Sequence, residues 1–360
     1  MPNPNALVST VVRVDRERGV VELGGERRAR LDPQDSRSRG FAQILEAVGQ
    51  QRLPVYLELD PQTEAIARLL IPHVARVAAV DQVEGGDLGV ELEPSHAQHV
   101  LRRGSPDFAE LERALREASR AGRPVVVTED DDHQIIDVRP YEPDPEAPPL
   151  PFPERRRPRP WSLPWIVRWL LGIWWWCWWP WRWFGCISAA KAQQAFDAMN
   201  ATSCDPLTVP PPCVPFLYPD DGCWARAHEM CRLMINMGLS PAKVWIQGNL
   251  HPATRNHPSC SVGWNWHVAP TLCVCRRWFF RQAMVIDPSL FTTPVTKAQW
   301  KAIQNDPNAT LTDSDGSIFY LWGNVTDPSY TQTNQVLATY RLRLQLRSIQ
   351  VGPPPYANCP

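Results

Sequence analysis

All ten cysteines of this 360-residue chain lie between Cys177 and Cys359. A Cys-free first half joined to a Cys-rich second half points to two units, and the length also suits two domains. Two origins of the asymmetry stay open. Either the halves face different redox surroundings, or domains of different ancestry were fused and only one uses disulfides. The join falls in residues 140–160, where nine of 21 residues are proline. Such a stretch prefers extended polyproline II at about 3.1 Å per residue and reaches on the order of 60 Å. It ends in a basic run, Arg155, Arg156, Arg157 and Arg159. The net charge is −1 and neither half is strongly basic, so no nucleic-acid partner is expected.

Residues 1–139 read as a small α+β domain of regulatory or targeting role. Apolar runs Leu7–Val14 and Val20–Leu23 flank a hairpin turn at Asp15–Gly19. Phe41, Ile44, Leu45 and Val48 share one helical face, and a second helix is predicted over Asp107–Ala121. Strand-like runs occupy Val55–Leu59, Ala65–Ile71, Val74–Val80, Leu88–Leu92, Val125–Thr128 and Ile135–Val138. The group Glu129, Asp130, Asp131, Asp132 and His133 reads as a solvated hairpin tip rather than a metal site. His96 and His99, three apart without matching ligands nearby, read as surface residues.

Residues 161–186 are rich in tryptophan, with ten in the 25 residues from Trp161 to Gly185. The uncharged core between Arg168 and Arg182 is 13 residues long and is broken by Pro180. A comfortable bilayer span needs about 20 apolar residues. Tryptophan and arginine suit the headgroup zone, so Trp161–Phe184 reads as a membrane contact, lying in the interface or spanning as a signal-anchor. Packing against soluble protein is the remaining option. The first 30 residues lack a basic start, apolar middle and small-residue cleavage site, so no cleavable signal peptide is expected. A spanning segment would put the cysteines outside the cytoplasm. The expected location is therefore membrane-associated with an extracytoplasmic C-terminal domain, or alternatively secreted.

The chemistry sits in residues 187–360. From Cys223 onward, Cys223, Ala227, Met230, Cys231, Met234 and Met237 recur at helical spacing, predicting one buried stripe. Asp221 reads as the N-cap and Gly222 as the sharp entry. Cys223 then lies in the first turn, where the helix dipole favours a thiolate and free backbone N–H groups can face an oxyanion. A small buried cysteine would look the same in isolation. His228, five residues on, lies about 140° around the helix and reads as structural or solvent-facing. A better partner is His267 in Trp264-Asn265-Trp266-His267-Val268, a strand entry. Asp287 follows in Val285-Ile286-Asp287-Pro288, at the end of an apolar strand. The order Cys, His, Asp is that of papain-like and transglutaminase-like enzymes, in which the acid orients the imidazole.

The segments DGCWARAHEM, WIQGNL, WNWHVAP, VIDPSLF and PVTKAQW resemble the bacterial protein-glutaminase family, with 44 residues from Cys223 to His267 and 20 more to Asp287. The likeness covers about Ala190 to Gln350. It implies an α+β fold with a papain/transglutaminase-like cysteine hydrolase domain at the C-terminus. It also implies deamidation of protein-bound glutamine through a Cys223 thioester, with His267 as base and Asp287 as orienting acid. No metal or organic cofactor is implied. The partners implied are glutamine-bearing proteins or peptides. Family members carry an inhibitory propeptide, and the N-terminal domain is open to that role.

Alternatives remain at this stage. A transglutaminase or thiol peptidase would use the same triad, and a membrane-targeted interaction protein or toxin would use none of it. Trp264 and Trp266 suit a substrate cleft or a core equally. Cys273-x-Cys275 lacks a second ligand pair, so zinc is not expected there. Setting Cys223 aside leaves nine cysteines, so one is unpaired, with Cys177 the candidate.

Overall fold

The computed structural model describes residues 5–143, 186–208, 213–275 and 280–359. The Trp-rich segment, Cys177 and residues 144–160 of the Pro-rich stretch lie outside the described residues. Among the described residues, no helix is long and apolar enough to cross a membrane.

The N-terminal part is built twice. Strands β1 (Ala6–Asp15), β2 (Val20–Leu23), β3 (Arg27–Arg30), β4 (Pro54–Leu59) and β5 (Ile66–Leu70) form a sheet in the order β3-β2-β1-β4-β5. Helix α1 (Ser38–Gln50) connects β3 to β4 and buries Phe41, Ile44, Leu45 and Val48 on it. The next strands are β6 (His73–Gln82), β7 (Leu88–Glu93), β8 (His99–Leu101), β9 (Pro124–Glu129) and β10 (Ile135–Pro140). They repeat the pattern as β10-β9-β6-β7-β8, with helix α2 (Phe108–Ala121) between β8 and β9. What reads from sequence as one α+β domain is thus a tandem repeat with two separate cores. The copies differ between their second and third strands. Residues 24–26 make a three-residue turn in the first, whereas the second has the longer stretch Pro94–Gln98.

The C-terminal part has helix α3 (Ala189–Asn200) and helix α4 (Cys223–Asn236). Strands β11 (Ala242–Leu250), β12 (Trp264–Cys275), β13 (Arg281–Val285), β14 (Val295–Thr296) and β15 (Thr310–Asp315) form an antiparallel sheet, β14-β13-β12-β11-β15. Helix α5 (Lys297–Ala302) starts with a full capping box from Thr296 and Gln299. A small ribbon of β16 (Ile318–Tyr320) and β17 (Val325–Thr326) precedes helix α6 (Thr331–Val351). Every ladder between these strands is antiparallel, so the molecule is a mixed helix-and-sheet fold.

Helix α4 departs from the predicted single stripe. All residues from Cys223 to Cys231 are buried, so its first two turns are covered on every side. The polar members find partners. Arg226 donates from Nη1 to the Tyr218 carbonyl at 2.9 Å, and His228 Nδ1 lies 2.9 Å from Lys243 Nζ. His228 is therefore structural and not solvent-facing.

Helix α6 shows no single apolar stripe in its sequence, and its packing gives the cause. Leu337 and Leu344 enter the core beneath α4, while Leu342 and Leu346 enter the core of the first N-terminal repeat. A helix with two apolar faces shows no single stripe. Three disulfides, Cys186–Cys273, Cys204–Cys213 and Cys260–Cys359, all lie in the C-terminal part. Among the described residues Cys223, Cys231 and Cys275 are free, so the leftover thiols are not confined to Cys177.

The expected solvated tip at Glu129–His133 is instead an interface. Glu129 accepts from His133 Nδ1 at 2.9 Å and pairs with His73 and His99, and Arg343 of α6 lies 2.6 Å from His73. Asp131 and Asp132 bond Arg347 Nε and Ser259 Oγ at 2.8 and 2.6 Å. Arg347 also grips Asp220 through both Nη1 and Nη2 at 2.8 Å. It thus clamps the N-terminal hairpin to the turn before α4. Removing one partner of a buried pair leaves the other charge unmatched. Arg347→Ala is expected to lower stability by about 3–5 kcal/mol, read by denaturant unfolding, whereas Arg16→Ala at an exposed pair is expected to change little.

Candidate active site

Gly222 opens α4 at φ +82°, and a Cβ on it would sit 2.5 Å from the Tyr340 ring. Only glycine fits both demands. The helix makes no side-chain cap, so the predicted Asp221 N-cap is not formed. Asp221 instead accepts from Gly222 N at 2.9 Å, from His96 N at 3.1 Å and from the Tyr340 hydroxyl. Cys223 follows as the first helical residue and is 1% exposed.

His267 projects from the middle of β12, the strand against which α4 packs. Its Nε2 lies 2.9 Å from Asp287 Oδ2. Asp287 stands two residues beyond β13, and the same Oδ2 accepts from Trp300 Nε1 of α5 at 2.9 Å. The imidazole is held between two indoles. Trp264 stacks on it at 4.4 Å between ring centroids and Trp300 at 5.5 Å. Flat indole faces favour a cation, so the sandwich suits an imidazolium as well as fixing the ring. With Nε2 engaged, Nδ1 is left without a hydrogen-bond partner. One ring nitrogen of His267, the Cys223 sulfur and one ring nitrogen of His96 lie within 4.8 Å of one another. The three residues expected from sequence, Cys223, His267 and Asp287, are therefore brought together.

The remaining aromatic residues divide cleanly. Trp264 is fully buried and stacks on His267, while Trp266 packs among Trp224, Trp245, Tyr320 and Trp322 and also lies 5.4 Å from the His96 ring. Cys273 is in a disulfide, which leaves Cys275 without the paired thiolate that a C-x-C metal site needs.

Two residues were misplaced by sequence reasoning. His96 and His99 are 0% and 1% exposed, not on the surface. His99 belongs to the cluster around Glu129. His96 lies in the stretch between β7 and β8 that is longer than its counterpart in the first repeat, and that stretch enters the site. Asn265 N donates to His96 O at 2.8 Å, Gln98 N donates to Gly263 O at 2.9 Å, and Ala97 faces Trp264 in an antiparallel bridge. The segment thus adds a short strand alongside the Gly263–Asn265 entry of β12. The His96 ring lies 5.8 Å from His267 and reaches Asp221 Oδ1 with Nδ1 at 2.9 Å.

Burial governs the protonation states. It pushes the Cys223 thiol well above 9.0 and His96 down to about 4, outweighing the pull of Asp221 on His96. It also lowers His267, against the opposing effect of Asp287. For Asp221, burial is outweighed by the bonds from His96 and Tyr340, so the carboxylate stays ionised. The closed site thus holds a neutral thiol beside a neutral imidazole.

Residues 192–304 match a family described as Glutaminase. The fold is similar to a crystal structure of pro-protein-glutaminase, at 21% identity and a TM-score of 0.52, covering 80% of this chain and 98% of that one. A crystal structure of protein-glutaminase aligns at 30% identity and a TM-score of 0.40, covering 44% of this chain and 89% of that one. The NMR structure of protein-glutaminase from Chryseobacterium proteolyticum gives 30% identity and a TM-score of 0.38, covering 41% and 84%. No curated protein matches the chain. The family match spans α4, the His267 strand and the Asp287 turn, and the C-terminal part of this chain belongs to the protein-glutaminase family.

Proposed function

We propose that this chain is a latent cysteine-dependent deamidase that converts protein-bound glutamine to glutamate, with Cys223 as nucleophile, His267 as base and Asp287 as orienting acid. The observation that carries the reading is Cys223 at a helix start, its sulfur within 4.8 Å of a ring nitrogen of His267, whose Nε2 is held by Asp287 and whose Nδ1 is unpartnered. The antiparallel sheet with α4 packed on it is read as a papain/transglutaminase-like core.

The steps balance as follows. His267 Nδ1 takes the Cys223 proton as the sulfur bonds to the glutamine δ-carbon. The resulting oxyanion lies at the N-terminus of α4, where backbone N–H groups are free to donate. The imidazolium returns its proton to the amide nitrogen, ammonia leaves and a thioester remains. His267 then takes a proton from water as the hydroxide attacks the thioester; the tetrahedral adduct collapses, the C–S bond breaks, the imidazolium returns its proton to the Cys223 sulfur, and the new glutamic acid ionises to glutamate. Asp287 and the two indoles steady the imidazolium in both halves. An extended substrate backbone would pair with Gly263–Asn265, the edge now taken by residues 96–98.

Latency follows from that occupied edge. The likeness in fold to a pro-protein-glutaminase extends over the N-terminal part and supports the reading. Removing the cover admits water, which relieves the desolvation that keeps Cys223 neutral. The disulfides favour an oxidising compartment for the C-terminal part.

With a specific protease site placed in residues 144–160, the cut chain separated from its N-terminal part should release ammonia from a glutamine peptide. The peptide should gain about 1 Da, the mass change of amide to acid in this mechanism. Cys223→Ala should abolish both. Crosslinked products or new N-termini in place of free glutamate would turn the assignment to a transglutaminase or a peptidase. Trp300→Phe, which removes one bond to Asp287, should lower kcat about 10–100-fold.

Acid should loosen the cover. His73 and His96 sit at about 4 when docked against an ordinary 6.5, so their contribution is full above pH 6.5 and is lost as pH falls toward 4. His96 faces Asp221, His267 and Arg226, and His73 faces Glu129, His99 and Arg343. His133, which Glu129 raises to about 9 against burial, acts oppositely: its contribution is lost only as pH rises through that value. Hydrogen exchange corrected for intrinsic rates should show residues 94–98 less protected below pH 5 than at pH 7, and equal protection would contradict this.

A further inference from the structure

We propose that the closed chain holds a divalent transition metal such as zinc on His96, Cys223 and His267, an inhibitory site built across the two parts of the molecule. One donor atom from each of these residues lies within 4.8 Å of the others, and all three residues are buried. Tetrahedral zinc places sulfur and imidazole nitrogen about 3.5 Å apart, from bond lengths of about 2.3 and 2.0–2.1 Å, so small side-chain rotations close the set. A thiolate with two imidazoles is a zinc-type donor set, and water completes the fourth position.

Two further observations point to an ion. His267 Nδ1 and both ring nitrogens of His96 are buried and have no hydrogen-bond partner. Orphaned donors of this kind are costly in a closed interior. A carboxylate also stands beside each imidazole: Asp287 Oδ2 is hydrogen-bonded to His267 Nε2 at 2.9 Å, and Asp221 Oδ1 lies 2.9 Å from His96 Nδ1 as an ion-pair contact outside hydrogen-bonding geometry. Those are the outer partners that orient metal-ligating imidazoles.

Charge agrees. Asp221, Asp287 and Arg226 leave the pocket with one negative charge while the thiol and imidazoles are neutral. A divalent ion that displaces the Cys223 proton forms the metal–sulfur bond, releases one H⁺ and brings the pocket to neutrality. The ion would hold the thiolate away from substrate and tie residues 94–98 to the C-terminal part.

The test is cobalt(II) titration of the intact, metal-stripped chain. The expected result is one equivalent bound, with a thiolate-to-cobalt charge-transfer band and the intense visible bands of a four-coordinate site. Zinc should displace it. Cys223→Ser should remove the charge-transfer band. His96→Ala should weaken binding at least about a hundredfold, since losing a ligand should exceed the 10–100-fold cost of losing an outer partner. His96→Gln serves if the alanine variant does not fold, judged by circular dichroism.

The cluster of His73, His99 and Glu129 is the competing site, and it contains no sulfur. Binding without a charge-transfer band, a band that survives both His96 substitutions, or no binding would each overturn the proposal. Metal binding is read without substrate, so its failure leaves the deamidation reading intact.

Discussion

The buried carboxylate of Asp221 is the junction on which the closed molecule depends. One side chain accepts from the His96 backbone and lies against its ring, and also accepts from Gly222 N and from Tyr340 of α6. Residues 94–98, helix α4 and helix α6 therefore meet at a single charge. A charge in such a place is tolerated only with near-complete pairing. Arg347 and Asp220 make the same bargain one residue earlier, joining α6 and the N-terminal hairpin to the turn before α4. The turn before α4 is thus gripped on both sides by groups from outside its own sheet.

Under the proposed function, that grip lets one arrangement serve both the latent and the active chain. His267 is fixed by elements wholly within the C-terminal part: the Asp287 carboxylate, the Trp264 face and the Trp300 face. Removing the N-terminal part leaves these untouched. What changes is the surroundings of Cys223, which is buried at a helix start whose dipole would otherwise favour the thiolate. Burial wins while the cover is docked, since desolvation is the largest influence on the thiol.

Much of the C-terminal site is legible in the sequence because its signals are local. Cys223 carries a glycine before it and a helical pattern after it, and His267 and Asp287 sit in apolar strand-like runs. Helix α6 and the covering segment are illegible for the opposite reason. Leu337 and Leu344 face one core and Leu342 and Leu346 another, so the periodicity that marks a one-sided helix is erased. His96, His99 and Glu129 look solvated because their partners, Asp221, His73 and Arg343, lie far away in the chain or across the interface. The tandem repeat is likewise visible only in matching sheet orders, and the elongated connection between β7 and β8 is what delivers His96.

The most direct measurement is alkylation of Cys223 in the intact chain, with a metal chelator present, using exposed Cys275 as the internal standard. Peptide mapping reads the two thiols separately. The account predicts that Cys275 reacts in the intact chain while Cys223 does not, and that Cys223 reacts readily once the N-terminal part is cut away and removed. If Cys223 in the intact chain is alkylated as fast as Cys275, the N-terminal part does not cover the nucleophile and the account is wrong.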